Sequence, residues 1–158
     1  MKPTELREHT FILLFHMPFY GTTEEMEEQI SLYLKPSETE NAETPEQWWR
    51  GDDEDFLTLA PADFAAVEAR VHAVMEKLPK IDAAVTEKAV DWKINRMSKV
   101  DLTILRLAVY ELMFDESIPE AVAINEAVEL AKKFGGDHSS RFVNGILAKF
   151  TDKHAEQA

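Results

Sequence analysis

The sequence contains no cysteine. Disulfide staples and thiolate metal sites are therefore excluded, and the composition fits a reducing compartment. Glycine is scarce, limited to Gly21, Gly51, Gly135, Gly136 and Gly145. None of them belongs to a phosphate-cradling loop or a dinucleotide fingerprint, and no nucleophile elbow is present. His72 and Glu76 share a helical face at i, i+4, but the second histidine of a zinc motif is missing, so a surface ion pair or solvated face is the simpler reading. No catalytic residue, metal ligand or cofactor is expected, and the chain does not read as an enzyme. Long hydrophobic runs are also absent. Residues 11–15 are too few to span a bilayer and lack a cleavage-type flank, so neither a membrane span nor a signal peptide is expected and the chain reads as cytoplasmic. No segment alternates with the strand period, and no fixed-period repeat appears. Base is short as well: 17 Lys and Arg stand against 30 Asp and Glu, a net charge of −13.

What is present is helical periodicity. At 158 residues the chain reads as one domain, or two small subdomains sharing a core. The expected division is 1–79, 80–152 and a tail at 153–158, in an all-α fold of about seven helices. Thr4 is a candidate cap for a first helix that runs to about Met17 and buries Leu6, Leu13, Leu14 and Met17, with Arg7 on the polar side or its border. Thr22 and Glu25 form a capping box for a helix through Met26, Ile30, Tyr33 and Leu34 that Pro36 closes. Residues 37–60 are an acidic insert, read as a solvated loop holding a short helix around Trp48-Trp49, whose tryptophans read as an anchor rather than a base-stacking platform. Pro61 opens a third helix with Phe64, Val67, Val71, Val74 and Leu78 on one face, ended by Pro79. Ile81, Ala84, Val85 and Trp92 suggest a shorter fourth. Ser98 with Asp101 caps a fifth at about 99–114, apolar around much of its circumference and expected to be the least exposed.

Residues 118–150 read as two helices joined by Gly135-Gly136. Ser117 with Glu120 is a possible capping box, and Ile124, Ala127, Val128, Ala131 and Phe134 form the apolar face. Lys132 and Lys133 suit the carboxyl end, followed by glycine at an expected left-handed cap. Asp137, Ser139 or Ser140 can cap the next helix, whose face is Phe142, Val143, Ile146, Leu147 and Phe150. Within it, Gly145 costs roughly 1 kcal/mol against alanine, so something should need the missing side chain. Either a neighbouring helix approaches closely, or Asn144 and Gly145 present amide and bare backbone to a ligand. Asn125 likewise reads as an amide that ties two helices together.

The run Ala123-Ile124-Asn125-Glu126-Ala127-Val128-Glu129-Leu130-Ala131-Lys132-Lys133-Phe134-Gly135, followed by Phe142-Val143-Asn144-Gly145-Ile146-Leu147, resembles the NusB family of bacterial transcription antitermination factors. The likeness extends upstream through Met97-Ser98-Lys99-Val100-Asp101 and Ile104-Leu105-Arg106-Leu107-Ala108-Val109-Tyr110-Glu111-Leu112. It is strong over about 90–150, holds only in outline over the first 35 residues, and is absent over 36–60. A similar domain also precedes the methyltransferase domain of an rRNA cytosine methyltransferase, an architecture not expected here. The resemblance implies an RNA-binding factor that recognises boxA RNA together with NusE, a small-subunit ribosomal protein, and supports rRNA transcription. Other antitermination factors and RNA polymerase would be reached indirectly, and the free chain would be a monomer or homodimer. On the matched positions the RNA side falls on the first helix, through Lys2 and Arg7, and on Arg141, Phe142, Asn144 and Gly145. The partner side falls on Phe15 and Asp101. The family often carries an acid where His138 stands, and its first helix is usually richer in arginine.

That depletion makes charge the test of the reading, because RNA binders neutralise phosphates with clustered Lys and Arg. Residues 1–92 hold 20 acids and 8 bases, whereas residues 93–158 hold 10 and 9. Arg96, Lys99, Arg106, Lys132, Lys133, Arg141, Lys149 and Lys153 therefore form the expected cationic surface. The alternative is a protein–protein adaptor that retains the NusE-binding surface with little intrinsic RNA affinity.

Overall fold

The structure, a computed structural model, describes residues 2–16, 24–25, 27–28 and 61–151. The expected acidic insert with Trp48-Trp49, the residues closing the second helix, and Lys153 lie outside them. Among the described residues every regular element is helical: α1 (Pro3–His16), α2 (Phe64–Glu76), α3 (Leu78–Lys88), α4 (Lys99–Phe114), α5 (Glu120–Phe134) and α6 (Ser139–Ala148). Residues 24–25 and 27–28 are helical too, and short 3-10 turns cover Pro61–Asp63 and Ile94–Arg96. The fold is all-α. Two compact units divide within α2, the first ending at His72 and the second starting at Ala73.

In the first unit α1 begins two residues earlier than a Thr4 cap implies. Pro3 takes the first helical position, which needs no N–H donor, and the carboxylate of Glu5 accepts from the backbone N–H of Lys2 at 3.3 Å. The helix is buried over the consecutive residues His9, Thr10, Phe11, Ile12 and Leu13, so its inner surface is not the single stripe drawn from Leu6 and Leu14, both only half-buried. Thr10 sits in this interior because its hydroxyl donates to the carbonyl of Leu6 at 2.7 Å. Arg7, expected at the polar side or its border, is also buried.

Val67, Val71 and Val74 carry the buried face of α2, at the expected helical spacing. Pro79 follows the end of this helix and also lies in the first turn of α3, where a missing donor costs nothing. The spacing groups Trp92 with the α3 face, but α3 stops at Lys88 and the indole lies beyond it, 54% exposed.

The second unit is built around α4. Its residues Leu102 to Val109 are buried without a break, Ile104 and Leu107 included, and α3, α5 and α6 pack against it. Ser98 caps it as expected, its hydroxyl accepting the N–H of Asp101 at 3.1 Å. Arg106 tolerates this interior by pairing with Asp82 of α3 through two hydrogen bonds of 2.8 Å. α5 buries Ala123, Ala127, Leu130 and Ala131, a face turned from the expected one, which leaves Ile124 and Val128 half-buried. Small residues on this face let α5 approach α4 and α6 closely. Pro119 precedes the first turn of α5, and Ser117 binds Asp115 instead of capping the helix.

Candidate nucleic-acid interface

The link between α5 and α6 shapes the surface of the second unit. Gly135 has φ −94° and ψ −178°, an extended conformation and not the expected left-handed one. Space explains the glycine. A Cβ at this position would lie 2.5 Å from the Cβ and Oγ of Ser139 and 2.7 Å from the carbonyl of Ala131. Ser139 fills that space, buried, with its hydroxyl accepting the N–H of Gly136 at 3.0 Å. It therefore looks back into the link and does not cap α6. His138 is the N-cap residue, and no side chain caps this helix end, contrary to the expectation for Asp137, Ser139 or Ser140. The N–H of Ser139 donates to the carbonyl of Gly136 at 3.2 Å, and the positive end of the macrodipole carries no side-chain cap.

α6 has two distinct faces. Val143, Ile146 and Leu147 are buried, whereas Arg141, Asn144 and Gly145 are exposed at i, i+3 and i+4. A Cβ on Gly145 would meet nothing within 4 Å, so close helix packing does not explain this glycine and its bare backbone faces solvent. Asn125, expected to tie helices together, is exposed and makes no side-chain hydrogen bond among the described residues.

Phe142 stands at the border of the two faces. Its ring meets that of Trp92 edge to face, with centroids 5.3 Å apart and planes at 79°. These rings line an open cleft of about 660 Å³ that also receives Arg96, Asp101, His138 and Arg141. Asp101 contributes a buried carboxylate oxygen, Oδ1, that has no hydrogen-bond partner among the described residues. Leaving such an acceptor dry is costly, and a donor arriving in the cleft would relieve that cost. The structure thus brings Arg141, Phe142 and Asp101 to one cleft, with Asn144 and Gly145 on the exposed face of α6 beside it.

The remaining residues expected at the site belong to the first unit. Lys2 is exposed; Arg7 is 6% exposed, which removes its guanidinium from any open surface; Phe15 is half-buried, its ring 6.0 Å from that of Phe11 and 5.4 Å from that of His16. The expected cationic surface loses two more members. Arg106 is committed to Asp82, and the Lys149 ammonium donates to the carbonyl of Lys88 at 3.0 Å. Trp92 and the pairing of Arg96 with the cleft were not found from sequence. A lone tryptophan next to an apolar helical pattern reads as core, and only its position after the end of α3 signals otherwise.

Comparison with known proteins places these features in a family. Residues 4–152 match the model of the NusB family. Relatives called transcription antitermination protein NusB include one from Lachnoclostridium phytofermentans, 45% identical over 152 residues, covering 96% of this chain and 100% of the relative. Another, from Agathobacter rectalis, is 41% identical over 150 residues, covering 95% and 99%. Among solved structures, T. maritima NusB superposes with a TM-score of 0.64 at 29% identity, covering 99% of both chains. A chain in the crystal structure of a plectonemic RNA supercoil shares the fold, with a TM-score of 0.67 at 20% identity over 98% and 97%.

Proposed function

The chain belongs to the NusB family, and from that premise we propose that it acts in transcription antitermination by binding boxA-type RNA together with the ribosomal protein NusE, in support of rRNA transcription. The family is one of transcription factors and not of enzymes. The exposed stripe Arg141, Asn144 and Gly145, running beside an aromatic cleft at an uncapped helix end, supports the RNA reading most directly. Arg141 and the α6 N-terminus suit phosphate, Trp92 and Phe142 offer aromatic surface to bases, and Asn144 has both a donor and an acceptor for a base edge. Gly145 allows the sugar–phosphate backbone to approach the helix without meeting a side chain.

Asp101 and Phe15 are the proposed contacts for NusE. A basic ribosomal partner would satisfy the dry oxygen of Asp101 and add phosphate-neutralising charge to an acidic chain. Lys2 remains a proposed RNA contact, while the burial of Arg7 weighs against it. The site of action is the cytoplasm, where nascent RNA is made; among the described residues no helix is long and apolar enough to cross a membrane. The free chain is a monomer or homodimer in this reading, with RNA polymerase and other factors engaged indirectly.

A second reading, an adaptor that binds NusE with little RNA affinity, draws on the net charge of −13 and the loss of Arg7, Arg106 and Lys149 from the cationic surface. Fluorescence anisotropy with a boxA-type RNA at two salt concentrations separates the two. RNA binding predicts affinity that falls with log salt by about 0.7 per phosphate neutralised, and an adaptor gives no saturable signal even with NusE present.

A further inference from the structure

We propose that Glu27, Glu68 and His72 form a binding site for a zinc-class divalent cation. His72 Nε2 lies 3.3 Å from Oε1 of Glu27 and 3.7 Å from Oε1 of Glu68, and one ligand atom from each of the three residues falls within 4.8 Å of the others. A tetrahedral ion with bonds of about 2.0–2.1 Å sets its ligands about 3.3–3.4 Å apart, so these separations are close to coordination edges. Both carboxylates converge on the same nitrogen, and the three side chains have no other polar partner among the described residues. Two ligands sharing an ion need no proton along the line between them, whereas an ion pair with a protonated imidazole does.

The charges also fit. Two carboxylates repel each other beside one imidazole, and a divalent cation balances both. An imidazole with two carboxylates suits zinc, cobalt or nickel, while magnesium and calcium gain little from the nitrogen. Partial exposure of His72 and Glu68 leaves the fourth position to water. Glu68 and His72 share one face of α2 at i, i+4, so His72 pairs one turn back and not with Glu76 one turn on. Glu27 comes from the helical residues 27–28, far upstream in sequence, and the ion would therefore cross-link that segment to α2 within the first unit.

The test uses the full chain stripped with chelator, titrated calorimetrically with zinc chloride and melted with and without zinc. One zinc per chain and an unfolding temperature that rises with zinc are expected, with no matching response to magnesium. His72→Gln should weaken binding roughly tenfold or more, and Glu27→Gln and Glu68→Gln should each weaken it by a separate route. In chelator all three variants should melt close to the parent. Absence of zinc binding overturns the proposal. So does binding that survives all three substitutions, which would put the ion at another histidine, or an equal response to magnesium.

Discussion

His9 is 2% exposed, and desolvation lowers its pKa below the ordinary 6.5, against the opposing pull of Glu5 and Asp63. Its neutral form is the one the fold accepts. The unfolded chain therefore binds a proton near pH 6.5 that the folded chain refuses, so stability is complete above that pH and falls as the medium is acidified toward the lower folded pKa. Thermal unfolding followed from pH 7 to pH 5 should show this loss, and His9→Gln should flatten the profile; parallel profiles would rule out the assignment. Asp82 makes a different prediction. Replacing it with alanine removes the bidentate partner of a guanidinium that is 9% exposed. The cost should lie toward the lower end of the roughly 3–5 kcal/mol seen when buried pairs are broken, because the Asp82 side chain is 30% exposed. Urea unfolding measures it, and adding Arg106→Met should recover part of the loss.

At the scale of elements, α6 and the link before it hold two glycines with opposite requirements. Gly135→Ala drives a methyl into Ser139 and the carbonyl of Ala131, which should destabilise the chain by about 1–3 kcal/mol and disturb the α6 N-terminus. Gly145→Ala adds a methyl in open space within a helix, so stability should hold or rise by up to about 1 kcal/mol. If the bare backbone serves RNA, that variant binds boxA-type RNA more weakly despite its stability. Denaturant midpoints and RNA anisotropy on the same samples decide the matter, and unchanged affinity would detach Gly145 from the site.

For the whole molecule the controlling quantity is charge. A chain of net charge −13 repels polyanions, but salt limits that repulsion to about 8–10 Å, so the proposed contacts of Arg96 and Arg141 at the cleft would not be cancelled by it. RNA binding should therefore be weak for the chain alone and tight, with a steeper salt dependence, for its complex with NusE. Asp101→Lys should abolish the complex while leaving the fold intact, beyond the roughly 0.3–1 kcal/mol of a reversed first-turn charge. Size-exclusion chromatography with NusE, backed by circular dichroism, reads both. A folded variant that still binds NusE would dismiss Asp101 as the contact, and tight RNA binding by the isolated chain would dismiss the need for a partner.

Local chemistry is short-ranged, and what depends on it alone could be read from the chain: the all-α class, the Ser98 cap, the valine face of α2 and the continuous burial of α4. Period and capping are properties of residues a few positions apart, so they survive without knowledge of the neighbours. The family likewise followed from residues in order and spacing. What sequence could not supply was the identity of partners distant along the chain. From sequence Arg106 reads as a surface base, but the fold pairs it with Asp82; His72 shares a face with Glu76 on its own helix, but the fold brings Glu27 to it; Trp92 reads as core, but α3 ends before it and Phe142 lies alongside. Gly135 and Gly145 show the same division. Both are legible as glycines in need of a reason, but only the surrounding atoms tell that one is confined by Ser139 and the other faces open space.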